Sequence, residues 1–183
     1  MIKIKFSPFP VLKTERLNLR QLTNNDEKQI FLIRSNENMA EFLNRPLCKN
    51  IEEASNFINK INALIANNEC IYWAVTLKGN PKLIGTICLW QISTKEAKAE
   101  IGFELLPEYQ GRGIIQEAVK SVLDYGFNKM NLSAIEGEVA PGNIKSIKIM
   151  EKFGFKKINE IRENDSIDVE EGRTVMYSVI KQI

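Results

Sequence analysis

The sequence predicts a mixed α/β (α+β) domain, and three observations carry that prediction. Runs that alternate apolar and polar residues are interleaved with runs whose apolar residues recur at helical spacing. A glycine-flanked turn joins one of each kind, the strand-like Lys98 to Leu105 and the helix-like Ile114 to Phe127. At 183 residues, 44% hydrophobic and 26% charged, the chain has the size and composition of one globular domain able to bury a full core.

Taken in order, the first run is Val11 to Arg20, where Leu17 and Leu19 alternate with Arg16, Asn18 and Arg20 as in a half-buried strand. Thr23 and Asp26, ahead of Ile30, Phe31 and Ile33, mark a helix start. A second helix opens at Asn50, with Glu53 placed as in a capping box and Ile51, Ala54, Phe57, Ile61, Leu64 and Ile65 as its apolar face. Ile71 to Leu77 and Lys82 to Gln91 flank Lys78-Gly79-Asn80-Pro81, a turn composition, and so form a hairpin in which Trp73 and Trp90 read as packing residues.

Within Lys98 to Leu105, alternation puts Ala99, Ile101, Phe103 and Leu105 on one face and Lys98, Glu100, Gly102 and Glu104 on the other. Two carboxylates thus share a face, as they would on a solvated strand or in a catalytic site. The next helix carries Ile114, Ile115, Ala118, Val119, Val122, Leu123 and Phe127 as a stripe. Ala134 to Val139 is a further strand, and Pro141-Gly142 leads into a short helix capped by Asn143 and stopped by Gly154. Phe155 to Arg162 and Thr174 to Ile180 form a closing hairpin around the acidic Asp165 to Glu171.

Composition narrows the chemistry. A formal charge of +2 with dispersed lysines gives no electrostatic case for a nucleic-acid or membrane partner. Cys48, Cys70 and Cys88, odd in number and widely spaced, indicate reduced, buried thiols and neither a disulfide framework nor a zinc site. No apolar run has signal-peptide character or membrane-spanning length, so a cytoplasmic location is expected. The absence of histidine leaves acid and base work to carboxylates, hydroxyls, tyrosines or lysines, and removes the commonest metal ligand.

The stretch from Leu106 to Ala118 carries the functional signal. A glycine-flanked turn into a helix leaves amide hydrogens unpaired at the positive end of the helix dipole, an anion cradle suited to a pyrophosphate. No lysine followed by Ser or Thr closes a Walker frame, and the third glycine of a dinucleotide fingerprint is missing. Gln110-Gly111-Arg112-Gly113-Ile114-Ile115, preceded by Pro-Glu-Tyr, resembles the acyl-CoA-binding loop of the GNAT superfamily of N-acetyltransferases, whose pattern is Gln or Arg, two residues, Gly, one residue, then Gly or Ala. Ile115 departs from it: a branched side chain there must point into the core or push the diphosphate outward. The resemblance extends through Leu12 to Arg20, Ala99-Glu100-Ile101-Gly102-Phe103, and Asn143-x-x-Ser146 with Lys152-Phe153-Gly154-Phe155. In these stretches the chain is most similar to ribosomal-protein N-terminal acetyltransferases of the Rim type, while Pro-Glu-Tyr-Gln-Gly-Arg-Gly is also similar to spermidine acetyltransferases.

The resemblance implies a mixed, mostly antiparallel sheet of six to seven strands, splayed between its fourth and fifth strands and flanked by about four helices, with Glu37 to Lys49 bordering an acceptor groove. It implies acetyl-CoA as co-substrate and no metal. Phe103, Glu104 and Leu105 of the splayed strand would hold the pantetheine arm and thioester, Gln110, Gly111, Arg112, Gly113, Ile114 and Ile115 the diphosphate, with Asn143 and Ser146 as a second contact. An α-amine titrates at roughly 8 and a lysine or polyamine amine at roughly 10, so the acceptor arrives protonated and a base is required. Glu100 is the first choice, Glu104 the second and Glu138 the third. Family members often place a tyrosine acid seven residues after the asparagine; here that position is Met150, which cannot donate. Ser146 is the available substitute, at the place where Rim-type enzymes use a serine, and a local helix cap accounts for it equally. The acceptor is read as a peptide N-terminal α-amine, the alternative being a polyamine or other small amine. A non-catalytic acyl-CoA sensor is the alternative from another class. The protein is expected to be a monomer or homodimer.

Overall fold

The computed structural model describes residues 2–43, 45–158 and 174–181. Among these, eight strands form one sheet: β1 (Leu12–Lys13), β2 (Leu17–Arg20), β3 (Ile71–Leu77), β4 (Leu83–Ser93), β5 (Lys98–Leu105), β6 (Ala134–Val139), β7 (Lys156–Lys157) and β8 (Val175–Ile180). Their spatial order is β1-β2-β3-β4-β5-β6-β8-β7, and every neighbouring pair is antiparallel except β5 with β6. The count exceeds the expected six to seven because β1 and β7, each of two residues, join its edges. The acidic Asp165 to Glu171 and residues 159–162 of the run from Phe155 to Arg162 lie outside the described residues.

The parallel pair creates the site. Its ladder contains only Lys98 opposite Ala134, Ala99 opposite Ile135 and Glu100 opposite Glu136. Beyond Glu100, β5 keeps its register with β4 as far as Leu105 opposite Gly85, while β6 continues along β8. A wedge therefore opens between the two strands, and among the described residues no strand lies against the β6-facing edge of β5 over 101–105. Counted without the two-residue β1, these are the fourth and fifth strands.

Among the described residues five α-helices accompany the sheet: α1 (Glu27–Arg34), α2 (Glu37–Ala40), α3 (Ile51–Ala66), α4 (Ile114–Asp124) and α5 (Ile144–Lys152). Successive β3 residues sort the layers, because strand side chains alternate between faces. Tyr72 meets Phe57 of α3 edge to face at 5.7 Å, whereas Trp73 meets Tyr125, just after α4, at 5.5 Å on the opposite side. On α3 the buried residues are Ala54, Ile58, Ile61 and Ile65, one helical stripe; Ile58 belongs to it and Ile51, 37% exposed in the first turn, does not. Asn50 Oδ1 accepts the Glu53 N–H at 2.9 Å, and Glu53 reaches back to the Lys49 N–H at 2.8 Å, one residue ahead of the cap. All six α4 residues assigned to its stripe are buried, Ile115 included. The branched side chain at the family's small-residue position thus points into the core.

Trp73 is fully buried, but Trp90 is 42% exposed, which corrects its reading as a packing residue. Trp90 keeps its ladder position opposite Glu100, and the β4–β5 register shifts only beyond it, before Ser93, where Gln91 adopts φ 46°.

Candidate functional site

The loop that leaves β5 is shaped by two glycines in the left-handed region, Gly111 at φ 75° and Gly113 at φ 72°, where a side chain would be strained. Gly113 is the N-cap of α4, and the first helical hydrogen bond in this turn runs from Glu117 N–H to Gly113 C=O at 3.1 Å. The amides of Ile114, Ile115 and Gln116 therefore precede any intrahelical partner. Beside Gly111, nothing lies within 4 Å of where a Cβ would stand, so the cradle is open. Gln110 ties its base to the sheet by donating from Nε2 to the Leu105 carbonyl at 3.0 Å.

A brace from the first strand hairpin, absent from the sequence reading, fixes this loop. Arg16 Nε meets Glu117 Oε2 at 2.6 Å, and its Nη1 donates to the Arg112 carbonyl at 3.0 Å. The other oxygen of Glu117 accepts from Thr14 Oγ1 at 2.5 Å and from the Arg16 N–H at 2.8 Å. Burial alone would push the Glu117 carboxyl up, but these hydrogen bonds and the guanidinium outweigh it and hold the group below its ordinary value. The Arg16 and Glu117 positions could be read as strand and helix surface separately; nothing in their local patterns pairs residues so far apart.

Across the wedge, Asn143 caps α5, its Oδ1 accepting the Ser146 N–H at 3.2 Å. Ser146 is half-buried and lies one turn ahead of Met150 on the same helix face. Met150 is buried against Gly137 of β6, so close that a Cβ on Gly137 would sit 2.5 Å from its Cε. That position packs the core. Lys145 Nζ reaches Gln110 Oε1 at 3.3 Å and Lys152 Nζ reaches Gln116 Oε1 at 2.5 Å, so α5 and the loop form the two lips of one cleft.

The remaining candidates lie on the α1–α3 face of β5. Glu100 is buried and sits opposite Trp90 on β4 and Glu136 on β6. Glu136 is paired with Lys98 at 3.1 Å. Glu104 meets Arg45 at 2.6 Å with both side chains 14% exposed, and Arg45 Nη1 also donates to the Arg34 carbonyl at 3.0 Å. Burial, followed by repulsion from Arg45, lowers the Arg34 guanidinium. Tyr72 donates to Thr86 Oγ1 at 3.0 Å, and burial keeps both its phenol and the Cys88 thiol protonated. Glu138 is exposed near the far end of β6, hydrogen-bonded to Thr174.

The segment that carries Arg45 also crosses the mouth of the wedge. Phe42 lies against Gly142 at the start of the α5 turn, with its Cε1 3.1 Å from where a Cβ would stand. Phe42 and Arg45 thus wall one side of the acceptor face. Among the described residues no group of three or more His, Cys, Asp or Glu could hold a metal ion, and no helix is long and apolar enough to cross a membrane.

Comparison with known proteins agrees with this geometry. The family described as Acetyltransferase (GNAT) domain matches residues 16–156. An uncharacterized N-acetyltransferase of Bacillus subtilis, YoaA, is 33% identical over 173 residues, covering 94% of this chain and 98% of that protein. Two solved structures superpose with TM-score 0.77 at 25% identity: the ribosomal-protein-S5-alanine acetyltransferase from Vibrio fischeri, covering 93% of this chain and 96% of that one, and a spermidine N-acetyltransferase from Vibrio cholerae in complex with CoA and spermine, covering 91% and 96%.

Proposed function

This chain belongs to the GNAT acetyltransferase family and is an N-acetyltransferase that uses acetyl-CoA, and we propose that its acceptor is the α-amine of a protein or peptide N-terminus. The observation that carries the acceptor assignment is the charge balance of the acceptor face. Glu104 is paired with Arg45, Glu136 with Lys98, and Arg34 adds a further cation beside Arg45 and Glu104. A polyamine brings several positive charges and needs a surplus of carboxylates to offset their desolvation, whereas a peptide N-terminus brings one. The Vibrio fischeri neighbour, by its name an acetyltransferase of ribosomal protein S5, supports the same choice.

Acetyl-CoA, when bound, supplies the activated acetyl group. Gln110 to Ile115 and the α4 amides hold its diphosphate, with Asn143 and Ser146 on the opposite lip. The unladdered edge of β5 between Phe103 and Leu105 offers backbone hydrogen-bond groups to the pantetheine and thioester. Glu100 takes the proton from the incoming ammonium, directly or through water, so that a neutral amine is presented. Glu104 is the weaker candidate because deprotonating an acceptor would compete with its contact to Arg45, and Glu138 because it stands at the exposed end of its strand. Ser146 returns a proton to the departing thiolate through its hydroxyl, which the backbone N–H contact to Asn143 does not use.

A polyamine acceptor is the second reading, favoured by the loop sequence Pro107-Glu108-Tyr109-Gln110-Gly111-Arg112-Gly113 and by the spermidine acetyltransferase relatives. Thiol release with peptides of varied first residue, spermidine and an aminoglycoside decides between them. Turnover with peptides is the expected result, and turnover confined to spermidine overturns the α-amine assignment.

A further inference from the structure

We infer that Trp90 is a specificity-determining residue, the aromatic wall along which the acceptor's amine-bearing chain is led to Glu100; this rests on the amine-acetylation reading above. Three independent features single out Trp90. The first is exposure: in β4 the residues from Leu83 to Leu89 are buried or nearly so, yet this indole, the largest side chain available, is 42% exposed. The second is position. Trp90 stands directly opposite Glu100, and side chains at opposed positions of antiparallel strands lie about 5 Å apart.

The third is that the indole is seated. Its Nε1 lies 4.0 Å from where a Cβ would stand on Gly102, and Cys88 Sγ lies 3.3 Å from the same point. Gly102 has no side chain to lift the ring, so the Nε1 edge of the indole comes close over β5 at Gly102, which lies between Glu100 and Glu104 on that face. The bulge after Trp90 and the left-handed Gln91 hold the strand in this course. An indole face attracts a protonated amine through the ring quadrupole and packs equally well on the methylenes behind it. The cation is thereby brought to Glu100 before its proton is removed.

Protein saturated with coenzyme A is titrated with an alanine-glycine-serine-glycine peptide and, separately, with spermidine, reading tryptophan emission. Trp73, fully buried, serves as the internal reference. A saturable change in wild type that vanishes in Trp90→Phe is the result expected. In turnover, Trp90→Ala should raise the acceptor KM about tenfold with kcat within about twofold, and Trp90→Phe should recover most of the loss. Emission silent to both amines, or an unchanged acceptor KM in Trp90→Ala, overturns the inference. Calorimetry with coenzyme A separates the two levels. Binding and turnover with a silent Trp90 sink only this inference; absent heat sinks the transferase reading beneath it.

Discussion

At the cofactor end of the cleft, most working groups lie in one stretch, Leu105 to Glu117, braced by Thr14 and Arg16 and faced by Asn143 and Ser146. At the acceptor end, Arg34, Arg45, Tyr72, Trp90, Glu100 and Glu104 come from five segments of the chain and meet only because β3, β4 and β5 align them under α1 and α3. The first arrangement suits a ligand portion that is always the same, since backbone amides at a helix start recognise a diphosphate whatever surrounds it. The second suits a portion that varies, since each contributor can change without disturbing the fold that carries it.

The sharpest break between the two ends should come from Glu100→Gln. Removing a general base costs about a hundredfold or more in kcat. Acetyl-CoA affinity by calorimetry should not change, and an unaltered kcat would remove Glu100 from the chemistry. Ile115→Ala tests whether the loop and the core beneath it are separable. Truncating this buried side chain should cost about 3 kcal/mol in denaturant unfolding. Because Ile115 points inward, acetyl-CoA affinity should hold; tighter binding in the variant would mean that the isoleucine obstructs the diphosphate.

Arg16→Ala should act at the cofactor end alone. It frees the Arg112 carbonyl and leaves Glu117 without its cation, and should raise the acetyl-CoA KM about tenfold with the acceptor KM unchanged. An effect on both KM values would show that the brace serves the fold as a whole. The smallest effect is in the pH dependence of the same brace. Glu117 has a folded-state pKa below its ordinary 4.5, so its contribution is present above that value and fades as the pH falls through the lower one. The stability gap between wild type and Glu117→Gln should stay constant from neutral pH down to about pH 5 and close under stronger acid. A gap that widens on acidification contradicts the assignment.

The same contrast governs what was legible in the sequence. The anion loop, the α4 stripe and the Asn143 cap depend on residues within a few turns of one another, so spacing alone reveals them, whereas the splay of β5 from β6 follows only from the family resemblance. The Arg16–Glu117 brace and the Arg45–Glu104 pair join residues 101 and 59 positions apart, which no local pattern encodes. Trp90 reads as a packing residue because an aromatic in a β-rich run is usually core, and its exposure depends on what covers the end of β4, which no local pattern gives. Ile58 was passed over because Ile51 and Phe57 gave an equally apolar stripe, and only the position of the sheet chooses between them.

The grip of the Gly111–Gly113 loop on a diphosphate is tested most directly by calorimetry with coenzyme A and with pantetheine, which lacks that group. Coenzyme A should bind in the micromolar range and pantetheine at least about a hundredfold more weakly. Equal affinities would mean that the loop holds no phosphate.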